Sequence, residues 1–353
     1  MTASPGAGWR RADGPAAHDR EKRRRRRGNG HGSGGGVGFR AAAADGAPVV
    51  QDVEFSSYYG RPVIKAPVWK TPDVPLYLFL GGAAGTSAIL GAFSELTGRP
   101  VLARVSRLVS GGGSVLSVGW LIHDLGRPER FLNMLRVLKP TSPLSVGSWI
   151  LAPFSAATGA TAAVELLGWF PRLKQFGGAV AALFGAPMAT YTAVLFANTA
   201  VPSWKEPGKQ LPFVFAGSAL AAGGGLTMVF APVEEAAPSR AMAVAGAAVE
   251  LAVMQKVEHD HGIVSEPYRE DKAGKYLKAA RTCTAAGAGL TLLAGRRRLG
   301  AVASGALLAA GSLLTRFGVY EAGMASAKDP KYTVVPQRER LVEQDGHARS
   351  VVR

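Results

Sequence analysis

Between residue 74 and about residue 319, apolar stretches alternate with short polar intervals. Each stretch is roughly 18 to 25 residues long, the length at which a helix crosses a bilayer. Eight are read, near 74–95, 101–123, 144–169, 177–200, 211–231, 238–256, 275–294 and 299–319. Polar residues collect between the runs rather than as one stripe along each, which argues against soluble helices with a single buried face. The pattern predicts an all-α polytopic membrane protein of eight transmembrane helices. Small residues recur inside the runs, as at 81–85, 111–113 and 223–225. They let helix backbones approach closely where lipid supplies no hydrophobic drive between helices. No Gly-x-x-x-x-Gly-Lys-Ser/Thr pattern follows a strand, so a phosphate-cradling loop is not indicated.

The flanks divide the chain further. Residues 1–54 form a basic Gly/Ala/Arg-rich tail with the run Lys22–Arg27, expected to be disordered for want of apolar surface. Residues 55–73 read as an interfacial segment with Tyr58, Tyr59 and Trp69 as anchors at headgroup level. Residues 74–320 hold the helices, and 321–353 a polar C-terminal tail. The first fifty residues carry ten Lys/Arg against four acids, so 10 − 4 = +6 of the net charge of +16 lies outside the helices. Overall charge therefore says little about a binding face. A solvated tail touching membrane lipid is the simpler reading of the Arg run, and no nucleic-acid partner is expected. Neither a cleavable signal nor a twin-arginine export signal is read, since the first apolar run begins some way after Arg10-Arg11. The intervals on the N-terminal side, with the segment before the first run, hold 14 Lys/Arg against 9 on the other. This places both termini in the cytoplasm of a prokaryotic cell membrane.

The chemistry available is limited by counting. One cysteine, Cys283, excludes an internal disulfide, a cysteine-ligated zinc and an iron–sulfur cluster within the chain. None of the six histidines lies deep in an apolar run, so the facing His pairs of a membrane haem cannot be built. Glu95, Glu165 and Glu250 fall within or at the ends of runs, where an ionised carboxylate must be paired or face water. Glu250 is the candidate for a proton path, with Arg316 as a possible partner.

The most distinctive interval is HDLGRPERFLNMLRVLKPTSPLSVGSW at 123–149. Pro128 suits the first turn of a helix and Pro140 cannot extend one, which bounds a short amphipathic interfacial helix of about three turns. Phe131, Met134, Leu135 and Leu138 would share its apolar face, with Arg127, Arg130 and Arg136 mostly off it.

This stretch closely resembles the loop between the second and third spans of the NrfD family, the membrane subunits of polysulfide-reductase-like complexes. YYGRPVIKAPVWK at 58–70, PLYLFLGGAAGTSA at 75–88 and YTAVLFANTAVPSW at 191–204 add to the likeness, which covers about residues 55–340. The resemblance implies two four-helix groups and a quinone-binding anchor for menaquinone or ubiquinone, with no haem and no cluster of its own. It implies electron exchange with a ferredoxin-like iron–sulfur subunit and a molybdopterin catalytic subunit, for example a formate dehydrogenase-like one. With no haem to carry electrons across the bilayer, the quinone must bind near the face where that partner docks. Arg130, Arg136 and Lys139 are the candidate docking residues. Candidate quinone-binding residues at that face are Asp73, Tyr77, His123, Asp124, Arg127 and Tyr191, since carboxylate, imidazole and phenol can donate to carbonyl oxygens and pass protons. Tyr191 matches a fourth-helix tyrosine of the family by motif. Asp73 equally suits a helix cap, and His123 and Asp124 equally suit bracing the loop. Two other functions fit the pattern: a secondary transporter or ion channel, for which no internal repeat is evident, and a structural anchor without quinone chemistry.

Overall fold

The structure is a computed structural model that describes residues 63–127, 129, 133–168 and 170–351. The tail at 1–54, Tyr58, Tyr59, Arg130 and Phe131 lie outside the described residues. Among the described residues the bundle is built of eight long helices, α1 (Asp73–Leu96), α2 (Pro100–Leu125), α3 (Pro143–Leu167), α4 (Pro171–Ala197), α5 (Leu211–Phe230), α6 (Ala237–His259), α7 (Asp271–Ala294) and α8 (Arg298–Lys328). A polar helix, α9 (Lys331–Val351), follows, and no strand occurs among the described residues.

Sequence explains most of the boundaries. Proline stands in the first turn of α2, α3, α4, α5 and α6, where its missing N–H costs nothing and its fixed φ suits the helix. Gly126 ends α2 in the left-handed region at φ 71°, a conformation a side chain would strain. The last span runs on to Lys328, past the end expected near 319.

Seven of the eight long helices are long and apolar enough to cross a membrane. The exception is α7, whose first half carries Asp271, Lys272, Lys275, Lys278 and Arg281. Its 24 residues have the length of a span but not the apolarity.

The short amphipathic helix after α2 is also smaller than expected. Glu129 and Asn133 are helical, but Met134–Arg136 turn and Val137–Lys139 are not helical. The Ser145 hydroxyl donates to Val137 O at 3.0 Å and accepts from Lys139 N at 2.9 Å. The stretch before Pro140 is thereby tied to the first turn of α3 instead of continuing as a helix. Arg136 and Lys139 are exposed there.

The helices pack as two four-helix groups. In the first, α1 lies against α2 and α4, and α3 closes the ring by touching both of those. In the second, α5 lies against α6 and α8, and α7 touches both in turn. Contacts of α5 with α1 and α4, and of α8 with α1, join the groups. Backbones approach closely between α1 and α4, where a Cβ on Gly85 would stand 2.5 Å from Gly185 O, and between α5 and α8, where one on Gly305 would stand closer still to Gly225 O. Only glycine permits that spacing, and dispersion at such contacts is what holds helices together in lipid.

One end of the bundle is tied by aromatic residues. Phe196 at the end of α4 stacks on Trp204 with centroids 4.3 Å apart, and Trp69 stacks on both. Trp204 Nε1 donates to Val319 O of α8 at 2.7 Å, and Tyr320 Oη donates to Trp69 O at 2.7 Å. Trp69 is thus partly buried against two aromatic faces at this end.

The opposite end is held by charge. Arg107 of α2, almost fully buried, bonds Glu95 of α1 at 3.0 Å and Glu165 of α3 at 2.8 Å, and Lys174 of α4 reaches Glu165 at 3.5 Å. Glu95 and Glu165 are therefore paired acids that join all four helices of the first group. Glu235 accepts from Leu102 N at the start of α2 at 2.8 Å, and Arg298 donates to Ala231 O just past the end of α5 at 2.9 Å.

Candidate functional site

Because α1 and α2 are consecutive neighbours, the start of one lies beside the end of the other. Asp73 is the first residue of α1 and His123 lies in the last turn of α2. An acid at a helix N-terminus and a basic group at a C-terminus each complement the helix dipole. The two side chains meet, with His123 Nδ1 2.7 Å from Asp73 Oδ2.

Their environments are unequal. The Asp73 side chain is 3% exposed and that of His123 is 70% exposed. The Trp120 ring stands edge-on to the imidazole, with centroids 6.0 Å apart, and fixes its tilt from the same helix. The pair links a buried carboxylate to an imidazole in contact with the outside. With Nδ1 engaged, Nε2 is the nitrogen that can serve a ligand or water.

Tyr77, one turn along α1 from Asp73, is buried, and Ser117 of α2 donates to its backbone carbonyl at 2.9 Å. Its phenol lies within electrostatic reach of Tyr191 and Asp124. Tyr191 of α4 is partly buried and packs against α3 where Gly147 leaves room, since a Cβ on Gly147 would stand 2.5 Å from the Tyr191 ring. Glycine at 147 therefore sets the position of that ring. Asp124 spends one oxygen on the segment before α1, accepting from Lys70 N at 3.0 Å.

Five of the six residues singled out as quinone-binding candidates are thus gathered at one end of the first group: Asp73, Tyr77, His123, Asp124 and Tyr191. The sixth, Arg127, is exposed beyond the helix-ending Gly126. Arg136 and Lys139 are exposed in the following stretch, and Arg130 falls outside the described residues. Glu250 is elsewhere, buried in the second group. Two features of the site were not singled out in the sequence. Gly147 shapes the bed of Tyr191, and the Trp69–Phe196–Trp204 stack fastens the segment that Asp124 holds. Neither leaves a one-dimensional signal, because each depends on which helices are neighbours.

The set can hydrogen-bond two carbonyl oxygens from different sides and can move protons between a buried acid and water. Among the described residues no cluster of three or more His, Cys, Asp or Glu could hold a metal ion. Comparison with curated proteins finds no match. The family described as polysulfide reductase, of the NrfD type, matches residues 55–328, which takes in α1 to α8 and the whole of the site. This chain belongs to the NrfD polysulfide-reductase family of membrane proteins.

Proposed function

We propose that the protein is the quinone-reactive membrane anchor of a respiratory oxidoreductase complex. The observation that carries this reading is the Asp73–His123 pair at 2.7 Å, with Tyr77 and Tyr191 beside it at one end of the first four-helix group. A quinone supplies two-electron, two-proton chemistry when bound. The residues fit its headgroup by donor chemistry: His123 Nε2 and the tyrosine hydroxyls can donate to carbonyl oxygens, and the glycine bed at 147 leaves a planar ring beside α3. Asp73 holds the imidazole by Nδ1, which leaves Nε2 free to pass a proton. The exposed side of His123 then returns that proton to water.

An iron–sulfur subunit of ferredoxin type and a molybdopterin catalytic subunit, for example a formate dehydrogenase-like one, are the partners in this reading. Exposed Arg127, Arg136 and Lys139 supply a basic rim beside the site that suits an acidic docking surface. The chain would cross a prokaryotic cell membrane eight times with α7 as one crossing, its polar half at the same face as the site, and with cytoplasmic termini. The excess of Lys/Arg at that face supports the orientation.

The test is quinol-dependent turnover of the complex purified through this chain. Tyr191→Phe, Asp73→Asn and His123→Gln together should abolish quinol turnover while the partner subunits still co-purify. Unchanged turnover would overturn the site. A lone protein with neither partner nor quinone would point to transport instead.

A further inference from the structure

The second four-helix group contains a buried polar cluster to which the quinone reading assigns no role. Glu250 lies mid-helix in α6 and is 3% exposed. Its Oε1 accepts from Thr315 Oγ1 of α8 at 2.5 Å, whereas Oε2 is buried and makes no hydrogen bond within the protein. Thr284 Oγ1 of α7 and Ser218 of α5 face the same carboxylate without closing a hydrogen bond to it. Ser218 donates instead to Ser312 at 2.8 Å.

The opposite charge is close by but not in contact. Arg316 of α8 is fully buried, lies over the Phe215 ring at 3.8 Å and donates through Nη2 to Phe215 O at 2.9 Å. Its Nε and Nη1 make no hydrogen bond within the protein. A buried carboxylate and guanidinium with spare donors and acceptors cost several kcal/mol unless water or a proton satisfies them.

Space for water is present beside the carboxylate. A gap of about 10 Å³, lined by Glu250, Thr284, Thr315 and Arg281 among others, has room for one water centre. Glu250 Oε2 and Thr284 Oγ1 give such a water the two polar partners it needs. The gap leads to Arg281, whose half-exposed guanidinium bonds Glu258. Glu258 lies eight residues beyond Glu250, about 12 Å along α6 toward the end at which the candidate site lies. Its Oε1 is also buried without a hydrogen bond within the protein.

We propose that Glu250 is an internal proton-exchange site, reached from the Arg281–Glu258 end of α6 and α7 through this gap and opposed by Arg316. The Glu250 carboxylate takes a proton from a water in the gap, and that water regains one from solvent at the Arg281 side. Arg316 excludes a metal cation as the occupant, because it places a fixed positive charge beside the carboxylate. The groups facing Glu250 are Ser218 from α5, Thr284 and Arg281 from α7, and Thr315 and Arg316 from α8. The inference does not depend on the quinone reading, and its test uses neither quinone nor a partner.

The experiment is infrared difference spectroscopy of the full chain in lipid nanodiscs across a pH titration, in light and heavy water. A carboxyl band that titrates and shifts on deuteration, and that is missing from Glu250→Gln, is expected. Absence of any such band in the native chain overturns the proposal, because Glu250 would then be a fixed partner of Arg316. Thr284→Val keeps Glu250 but removes a partner of the water, and should slow the deuterium shift at least tenfold. An unchanged rate in that variant would reject the gap as the route. The native-chain and Thr284→Val measurements stand even if Glu250→Gln fails to fold.

Discussion

His123 Nδ1 stands 2.7 Å from Asp73 Oδ2, joining the end of α2 to the start of α1 across fifty residues of sequence. The contact puts a solvent-facing imidazole in series with a buried carboxylate. If the two act as one proton-handling unit, their effects on turnover are not additive. Asp73→Asn and His123→Gln should each lower quinol-dependent turnover by about a hundredfold, and the double variant should fall little further. Steady-state kinetics of the four forms decides this, and multiplicative losses would show that the residues work separately.

Gly147→Ala tests the bed of Tyr191. The new methyl would stand 2.5 Å from the ring, so the ring must move. A raised KM for quinol with modest change in kcat is expected, because positioning and not proton transfer is disturbed. An unaltered KM would mean that Tyr191 lies outside the quinol contact.

Arg107 should matter for stability and not for quinol chemistry. It is buried between Glu95 and Glu165 at the end of the first group away from Asp73. Arg107→Met leaves the Glu165 carboxylate only its longer contacts, to Lys174 at 3.5 Å and Arg104 at 3.9 Å, and should cost up to about 3 kcal/mol, the lower end of the penalty for removing one partner of a buried pair. Thermal unfolding in detergent measures it, and Arg107→Met with Glu165→Gln should recover part of the loss.

Gly323→Ala addresses the aromatic end. A Cβ there would overlap the Trp204 indole, which donates to Val319 O at 2.7 Å. Overpacking of this kind costs about 2 kcal/mol. A lowered unfolding midpoint with altered tryptophan fluorescence is expected.

The start of α9 should release in alkali. A hydrogen bond from Lys331 Nζ to Glu266 Oε2 at 2.7 Å raises the lysine above its ordinary value. A raised lysine stabilises fully below that ordinary value and ceases to do so as pH climbs through the raised one. The loss therefore lies above about pH 10.5, and solvent exposure makes it small and sensitive to salt. Spin labels at Arg338 and Lys272 should report increased separation in that range. The pH dependence should vanish in Glu266→Gln.

Much of the molecule can be read from the chain in one dimension. Apolar run lengths, prolines at run starts and glycines inside runs locate α1 to α7 and the start of α8 to within a few residues, because each is a local property of bilayer thickness and helix geometry. The same reasoning gives α7 its bounds but not the apolarity of a span, because five charged residues share the helix with apolar ones. It also overextends the amphipathic helix after α2, because the Ser145 hydrogen bonds that stop it come from the next span. Five of the six candidate quinone residues fall together because they stand at or near helix ends that an up-and-down topology brings to one face.

The sequence by itself determined the class of protein, the approximate spans, and the absence within the chain of cysteine sets or histidine pairs for a cluster or haem. These follow from counting and from the free energy of placing residues in lipid. Only the tertiary structure decided that Asp73 pairs with His123, that Arg107 joins the four helices of the first group with Glu95, Glu165 and Lys174, and that Glu250 and Arg316 lie near each other without touching. Partners so distant along the chain are set by which helices are neighbours and by their rotation. Both depend on close fits such as Gly85 against Gly185, and no run of hydrophobic residues encodes those fits.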